Sequence, residues 1–391
     1  MKVTTENINL INKRLEYIYD NFDIYPLDEE VKIGDEEIFI DFPRDDTLSY
    51  SVEDFLRYTE DLKNISIVDA HSVICGRIRQ TIINIGNNAL PRLKFETDNI
   101  LLEIVENPFL IGLIASREGI YDKYTGISPC SIYFAIELQY KNVEPNEERD
   151  IELIKKCLFY IASKYNISAS ISRFISIGDY CNEEYEEKKE TVVVNNNELI
   201  PYCKAMDYYI EALSIGREDI KYLHLYKIIE YFSPIVSKKA SYEQLNKRLD
   251  ALQVVERDSE YLESIFKLTK QYEVSLKDKE LAYTILCECI DIVILFSFLP
   301  KDIQKNISKN CHFDVKNISL LSSSNIETIK KEIADILYAT RNSIVHAKSN
   351  YSFTGKECSE ENLGQLNEFM VKLCDCLFIW NSRQSKEFQL K

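Results

Sequence analysis

Near the end of the chain, Arg341-Asn342-Ser343-Ile344-Val345-His346 places an arginine, an amide and one of only four histidines within six residues. Those side chains suffice for metal-free chemistry at a phosphodiester. A guanidinium grips a phosphate through two parallel hydrogen bonds. An imidazole takes up and returns a proton near neutral pH. No acidic metal-binding cluster surrounds the motif, so no cofactor and no metal are expected.

The hydrophobic pattern predicts one helix over Asn325 to Lys348. At about 100° per residue, Ile329, Ile333, Ile336, Leu337 and Ile344 form one apolar stripe, with Thr340 inside it. The Thr340 hydroxyl can bond a carbonyl one turn back. Asp335, Asn342 and His346 share another face, on which small Ala339 permits close helix approach. Asn342 and His346 are neighbours one turn apart. Arg341 lies about 140° around the helix from His346. Three arrangements bring the two to one phosphate: a reaching arginine, a helix distorted at the motif, or two copies of the helix paired across a dimer.

A second segment bears on the same site. Lys221-Tyr222-Leu223-His224-Leu225-Tyr226-Lys227-Ile228-Ile229-Glu230-Tyr231-Phe232 reads as an aromatic helix with one embedded glutamate. A buried carboxylate among Ile229, Tyr231 and Phe232 needs a partner, because unpaired burial is costly. Arg341 is the expected partner, and Glu230 would then position it; alternatively Glu230 faces solvent or closes a structural salt bridge.

The Arg341-Asn342-x-x-x-His346 pattern resembles the signature of HEPN domains, the all-helical fold of many prokaryotic RNases in toxin and anti-phage systems. The Tyr226-Lys227-Ile228-Ile229-Glu230-Tyr231-Phe232 stretch is similar to an early helix of ApeA-like HEPN proteins. The resemblance covers roughly residues 204 to 391 and does not extend to the first half. It implies a helical bundle, paired motif helices with a composite site, and RNA as the substrate.

Composition sets bounds on these expectations. The 391 residues suggest two or three domains, and 45% hydrophobic content is ample for sizeable cores. Scarce Gly (10) and Pro (9) favour long regular elements. A net charge of −17 removes whole-protein attraction to nucleic acid, so any RNA site must be local. Basic residues cluster at Lys238, Lys239, Lys247 and Arg248, at Lys330 and Lys331, and at Lys348. The last three are the candidate RNA contacts. Eleven cysteines without zinc spacing read as reduced, mostly buried thiols of a cytoplasmic protein. The N-terminus lacks an apolar signal region. Leu281 to Leu299 is apolar enough to mimic a membrane span, but Glu288, Asp291 and Pro300 mark it as a core helix, so no membrane contact is expected. No P-loop is present. His71, beside Asp69 and Ser72, has no nucleophile elbow around it. His224 reads as a core or interface histidine.

The expected fold class is an α+β domain followed by an all-α, HEPN-like bundle, with the division placed at 1–200 and 201–391. In the first part, Leu93–Glu96, Asn99–Val105, Phe109–Ala115 and Ser131–Tyr140 read as strands; Val52–Leu62 and Asp150–Tyr165 read as helices. The acidic block Glu183 to Glu190 and Asn195-Asn196-Asn197 mark a boundary near 190 to 203. In the second part, helices are predicted over Ala205–Ile215, Asp219–Val236, Tyr242–Leu252, Asp258–Tyr272, Lys279–Phe298, Asn325–Lys348 and Glu360–Asn381, with Pro234 and Pro300 at helix ends.

The functional expectation is a cytoplasmic, metal-independent endoribonuclease acting as a toxin or anti-phage effector. Arg341, Asn342, His346 and Glu230 would form its site, in a homodimer joined through the C-terminal domain. The alternative is a non-catalytic HEPN-like module that binds a partner protein or nucleic acid. A ligand or protein regulating through residues 1–200 is compatible with either.

Overall fold

A computed structural model describes residues 1–26, 32–43, 46–85, 91–120, 130, 133–172, 191–195, 198–251, 259, 263, 266–267, 278–346 and 352–390. The chain divides into two units, Met1–Leu199 and Ile200–Lys391. The first contains sheet, and the second is helical.

The first unit begins with α1 (Ile8–Asn21) and a hairpin of β1 (Glu37–Phe42) and β2 (Asp46–Ser51). Ser51 caps α2 (Val52–Tyr58) by accepting from the Asp54 amide. That helix stops at Tyr58, short of the expected Leu62, and a separate 3₁₀ turn covers Leu62–Asn64. The main sheet is built from β3 (Ser66–Ile67), β4 (Ser72–Cys75), β5 (Ile78–Ile85), β6 (Arg92–Glu96) and β7 (Ile100–Glu106). After α3 (Phe109–Glu118) come β8 (Phe134–Tyr140), α4 (Glu147–Tyr165), β9 (Ala169–Ile171) and β10 (Thr191–Asn195). Strand order is β10-β6-β7-β8-β5-β4-β3, and β9 pairs with the far end of β5. All pairings are antiparallel except β10 with β6.

The expected strand at Phe109–Ala115 is a helix, α3, buried at every position from Phe109 to Ser116. A helix buried all round loses its amphipathic period, so its sequence cannot be told from that of a core strand. The first-turn amides of this helix lie in the core, and the Gln80 side chain on β5 accepts from Leu110 N (3.0 Å) and Ile111 N (3.3 Å). At Gly112 an added Cβ would meet Cys130 at 2.5 Å, so only glycine permits this packing.

The second unit contains α5 (Ala205–Ser214), α6 (Glu218–Ala251), α7 (Asp278–Glu288), α8 (Ile292–Leu295), α9 (Lys301–Asn310), α10 (Ser323–His346) and α11 (Glu360–Ser382). Its core includes Tyr209, Tyr222, Phe232, Phe369 and Phe378. Phe378 meets both Tyr209 and Phe232 edge-on at 5.6 Å. The buried Tyr222 hydroxyl donates to the Leu337 carbonyl (2.8 Å) and ties α6 to α10.

Two helix expectations are corrected. Pro234 lies inside the 34-residue α6 instead of ending it. Proline removes the amide that would bond the Glu230 carbonyl, and the Ser233 hydroxyl donates to that carbonyl instead, at 3.1 Å. The predicted single helix Lys279–Phe298 is broken after Glu288, where Asp291 accepts from Val293 N (3.0 Å) and starts a new helix bent by 107°. Among the described residues no single helix is long and apolar enough to cross a membrane. The predicted helix Asp258–Tyr272 and the acidic block at Glu183–Glu190 fall largely or wholly outside the described residues.

Candidate active site

The motif helix α10 is α-helical without interruption from Ser323 through His346. It buries Ile329, Ile333, Ala334, Ile336, Leu337, Ala339 and Thr340, while Ile344 is only partly buried. Because the helix is regular through the motif, Arg341 and His346 leave it about 140° apart, and distortion at the motif is not what joins them.

Arg341 turns toward α6. Its Nη2 lies 3.3 Å from Glu230 Oε1, and its Nη1 donates to Asn342 Oδ1 at 3.1 Å. The arginine and glutamate side chains keep 26% and 35% of their surface exposed. Glu230 is thus half-buried, between the enclosed and the solvent-facing readings of its sequence. Two of the five guanidinium N–H donors are used in these bonds, leaving an edge able to bind an oxyanion. Asn342 is drawn to Arg341 and not to His346. His346 is exposed at the last turn of α10.

The face expected to hold Asp335, Ala339, Asn342 and His346 together is divided. Lys356 places its ammonium 2.8 Å from Asp335 and 3.3 Å from Glu332. The hydrogen bond to Asp335 raises the Lys356 pKa above the ordinary lysine value. The Cys358 amide donates to the Thr340 hydroxyl at 2.9 Å. The chain after the motif therefore lies along α10 and takes up Asp335. Ala339 is 6% exposed and belongs to the core, so it is not an open contact point for a second helix. Thr340 sits in the stripe as expected, but its hydroxyl accepts from across the fold.

Of the candidate RNA contacts, Lys330 is part-buried, with its ammonium 3.4 Å from the Cys287 carbonyl at the negative end of α7. Lys331 is exposed on α10. Lys348 lies outside the described residues. Lys238 covers the Tyr242 ring at 5.6 Å, and Lys239 pairs with Glu243 at 2.7 Å. His71 Nδ1 bonds the Ser172 carbonyl at 2.8 Å, which gives it a structural partner. His224 faces Glu211 at 3.5 Å. The described cysteines are free thiols; burial pushes Cys203 and Cys358 up to about 11.

Residues not singled out from sequence also shape the site. Ser233 repairs the helix next to Glu230, and Lys356 holds the post-motif segment. A proline four residues after a candidate site residue was the available signal for the first. No family model matches the chain, and no curated protein or solved structure matches it.

Proposed function

We propose that Ile200–Lys391 is a HEPN-like, metal-independent endoribonuclease domain. The observation that carries the reading is the Arg341–Glu230 ion pair, with Asn342 on the same guanidinium, at the end of an uninterrupted helix that finishes at His346. The pair orients Arg341 while leaving donors for a phosphate. In the proposed reaction the RNA 2′-OH attacks the adjacent phosphorus and the 5′-oxygen of the next nucleotide departs. His346 moves the proton, Arg341 stabilises charge on the phosphoryl oxygens, and the product carries a 2′,3′-cyclic phosphate. The wide angle between Arg341 and His346 favours a site completed by a second copy, with contact near the exposed Val345 and His346 at the end of α10. The biological setting we propose is a cytoplasmic toxin or anti-phage effector.

One observation favours a second reading, a non-catalytic module that binds a partner protein or nucleic acid. Arg341 is already engaged by Glu230 and Asn342 on a protein of charge −17.

Total RNA incubated with the protein in chelator separates the two. The enzyme reading expects cleavage with cyclic-phosphate ends, reduced about 10²–10⁴-fold by His346→Ala. Equal cleavage by a folded His346→Ala variant, or none by wild type, removes the assignment.

A further inference from the structure

The first unit contains a cleft of about 550 Å³ between the end of α2, the β4–β5 turn and the end of β8. That volume lies within the range of small-molecule sites. Arg57, Arg77 and Lys141 line it, together with Glu60, Asp61 and Gln139.

The three cations are held differently. Arg57 is 2.7 Å from Asp54 and 3.4 Å from Glu137, a fully buried carboxylate, and its own Nε–H is buried without an acceptor among the described residues. Such a donor costs free energy unless an acceptor reaches it. Arg77 and Lys141 have no carboxylate within ion-pair distance among the described residues, although acids outnumber bases 64 to 47 in the chain. Arg77 is nonetheless fixed in place. Its carbonyl accepts from Tyr140 N at 3.0 Å, and its Nη1 donates to the Lys141 carbonyl at 2.7 Å. The Lys141 amide is bonded to the Asn99 carbonyl at 2.8 Å. Arg77 and Lys141 are therefore two cations without an ion-pair partner among the described residues, carried on ordered backbone beside Arg57.

The turn between them needs glycine. Gly76 has φ +54°, and a Cβ there would approach Asp61 Cβ to 3.0 Å. The neighbouring Cys75 thiol is no covalent handle. It donates to the Tyr58 carbonyl, and burial pushes its pKa up to about 12.

We infer that this cleft binds a small phosphorylated metabolite, with Arg77 and Lys141 on the phosphate and Glu60, Asp61 and Gln139 accepting from its hydroxyl or amino groups. A guanidinium and an ammonium in one lining suit a phosphate dianion. Carboxylates in the same lining suit a polar remainder and oppose a lipid tail. This site is separate from the nuclease reading and stands or falls without it.

Calorimetric titration of the full chain with AMP, glucose 6-phosphate, adenosine and inorganic phosphate tests the inference. The expected result is binding of AMP or glucose 6-phosphate, at least tenfold tighter than adenosine or phosphate alone; the two arms distinguish a nucleotide from a sugar phosphate. Arg77→Gln and Lys141→Gln should each weaken binding about tenfold, the effect of losing one charge-assisted contact. Both side chains are exposed, and the wild-type comparison of AMP with adenosine carries the test even if a variant is unstable. Absence of binding by both phosphorylated compounds, equal binding of adenosine or phosphate, or full affinity in the folded double variant would overturn it.

Discussion

Removing the Glu230 carboxylate tests whether the glutamate orients Arg341. Glu230→Gln keeps the shape of the side chain and deletes one charge of a pair whose nearest atoms are 3.3 Å apart. With charge centres about 4 Å apart, attraction is about 4 kcal/mol at an effective dielectric of 20 and about 1 kcal/mol in water. The two side chains retain 26% and 35% exposure, so solvent screening and the entropy of ordering two long side chains bring the net toward about 1 kcal/mol. A second change, Arg341→Gln, closes a double-mutant cycle in urea unfolding, and the expected coupling is about 0.5–1 kcal/mol. For a unit of this size that corresponds to a melting shift of about 2–4 °C per kcal/mol. If the pair also orients Arg341 for phosphate, Glu230→Gln slows RNA cleavage about fivefold, the rate equivalent of about 1 kcal/mol. Additive single and double variants, with zero coupling energy, would refute the reasoning and make Glu230 a bystander.

Two further outcomes are expected. Burial raises the Glu137 pKa, opposed by Arg57 and by hydrogen bonds from Gln80, Tyr58 and Gln139. The folded chain therefore keeps that proton to higher pH than the unfolded chain, and the resulting stability is complete below the unfolded value and lost as pH rises through the folded one. The melting temperature of wild type relative to Glu137→Gln should rise as pH is lowered from neutrality toward the ordinary value of 4.5; a fall would show that Arg57 dominates burial. Light scattering at micromolar concentration should give twice the 45.7 kDa chain mass if two copies complete the site. A monomer that still cleaves RNA would leave Arg341 to reach His346 within one chain.

Sequence pattern alone was enough for some elements with one wet face, though it passed over α1 and α9, which bury one face as well. The period of Ile329, Ile333 and Leu337 defines α10 and the buried position of Thr340, and the β-branched and aromatic runs Leu93–Glu96 and Asn99–Val105, bounded by turn residues, mark strands observed at nearly those bounds. Pattern also put Glu230 and Arg341 forward as partners, since each is a charged residue beside an apolar stripe.

Only the tertiary structure decided the rest, because these outcomes depend on contacts between residues distant in sequence. Phe109–Ala115 is a helix because its buried first-turn amides find Gln80, 30 positions earlier. Pro234 is tolerated within α6 because a neighbouring serine hydroxyl replaces the missing amide. Ala339 belongs to the core, and Asp335 is claimed by Lys356, 21 residues away. Glu137 sits in Ala135-Ile136-Glu137-Leu138, where alternation suggests a solvent-facing carboxylate. It is fully buried because both faces of the sheet are covered and Gln80, Gln139 and Arg57 meet its oxygens. Local periodicity records whether a residue faces solvent or protein, and a buried polar residue breaks that code whenever its partner comes from another part of the chain.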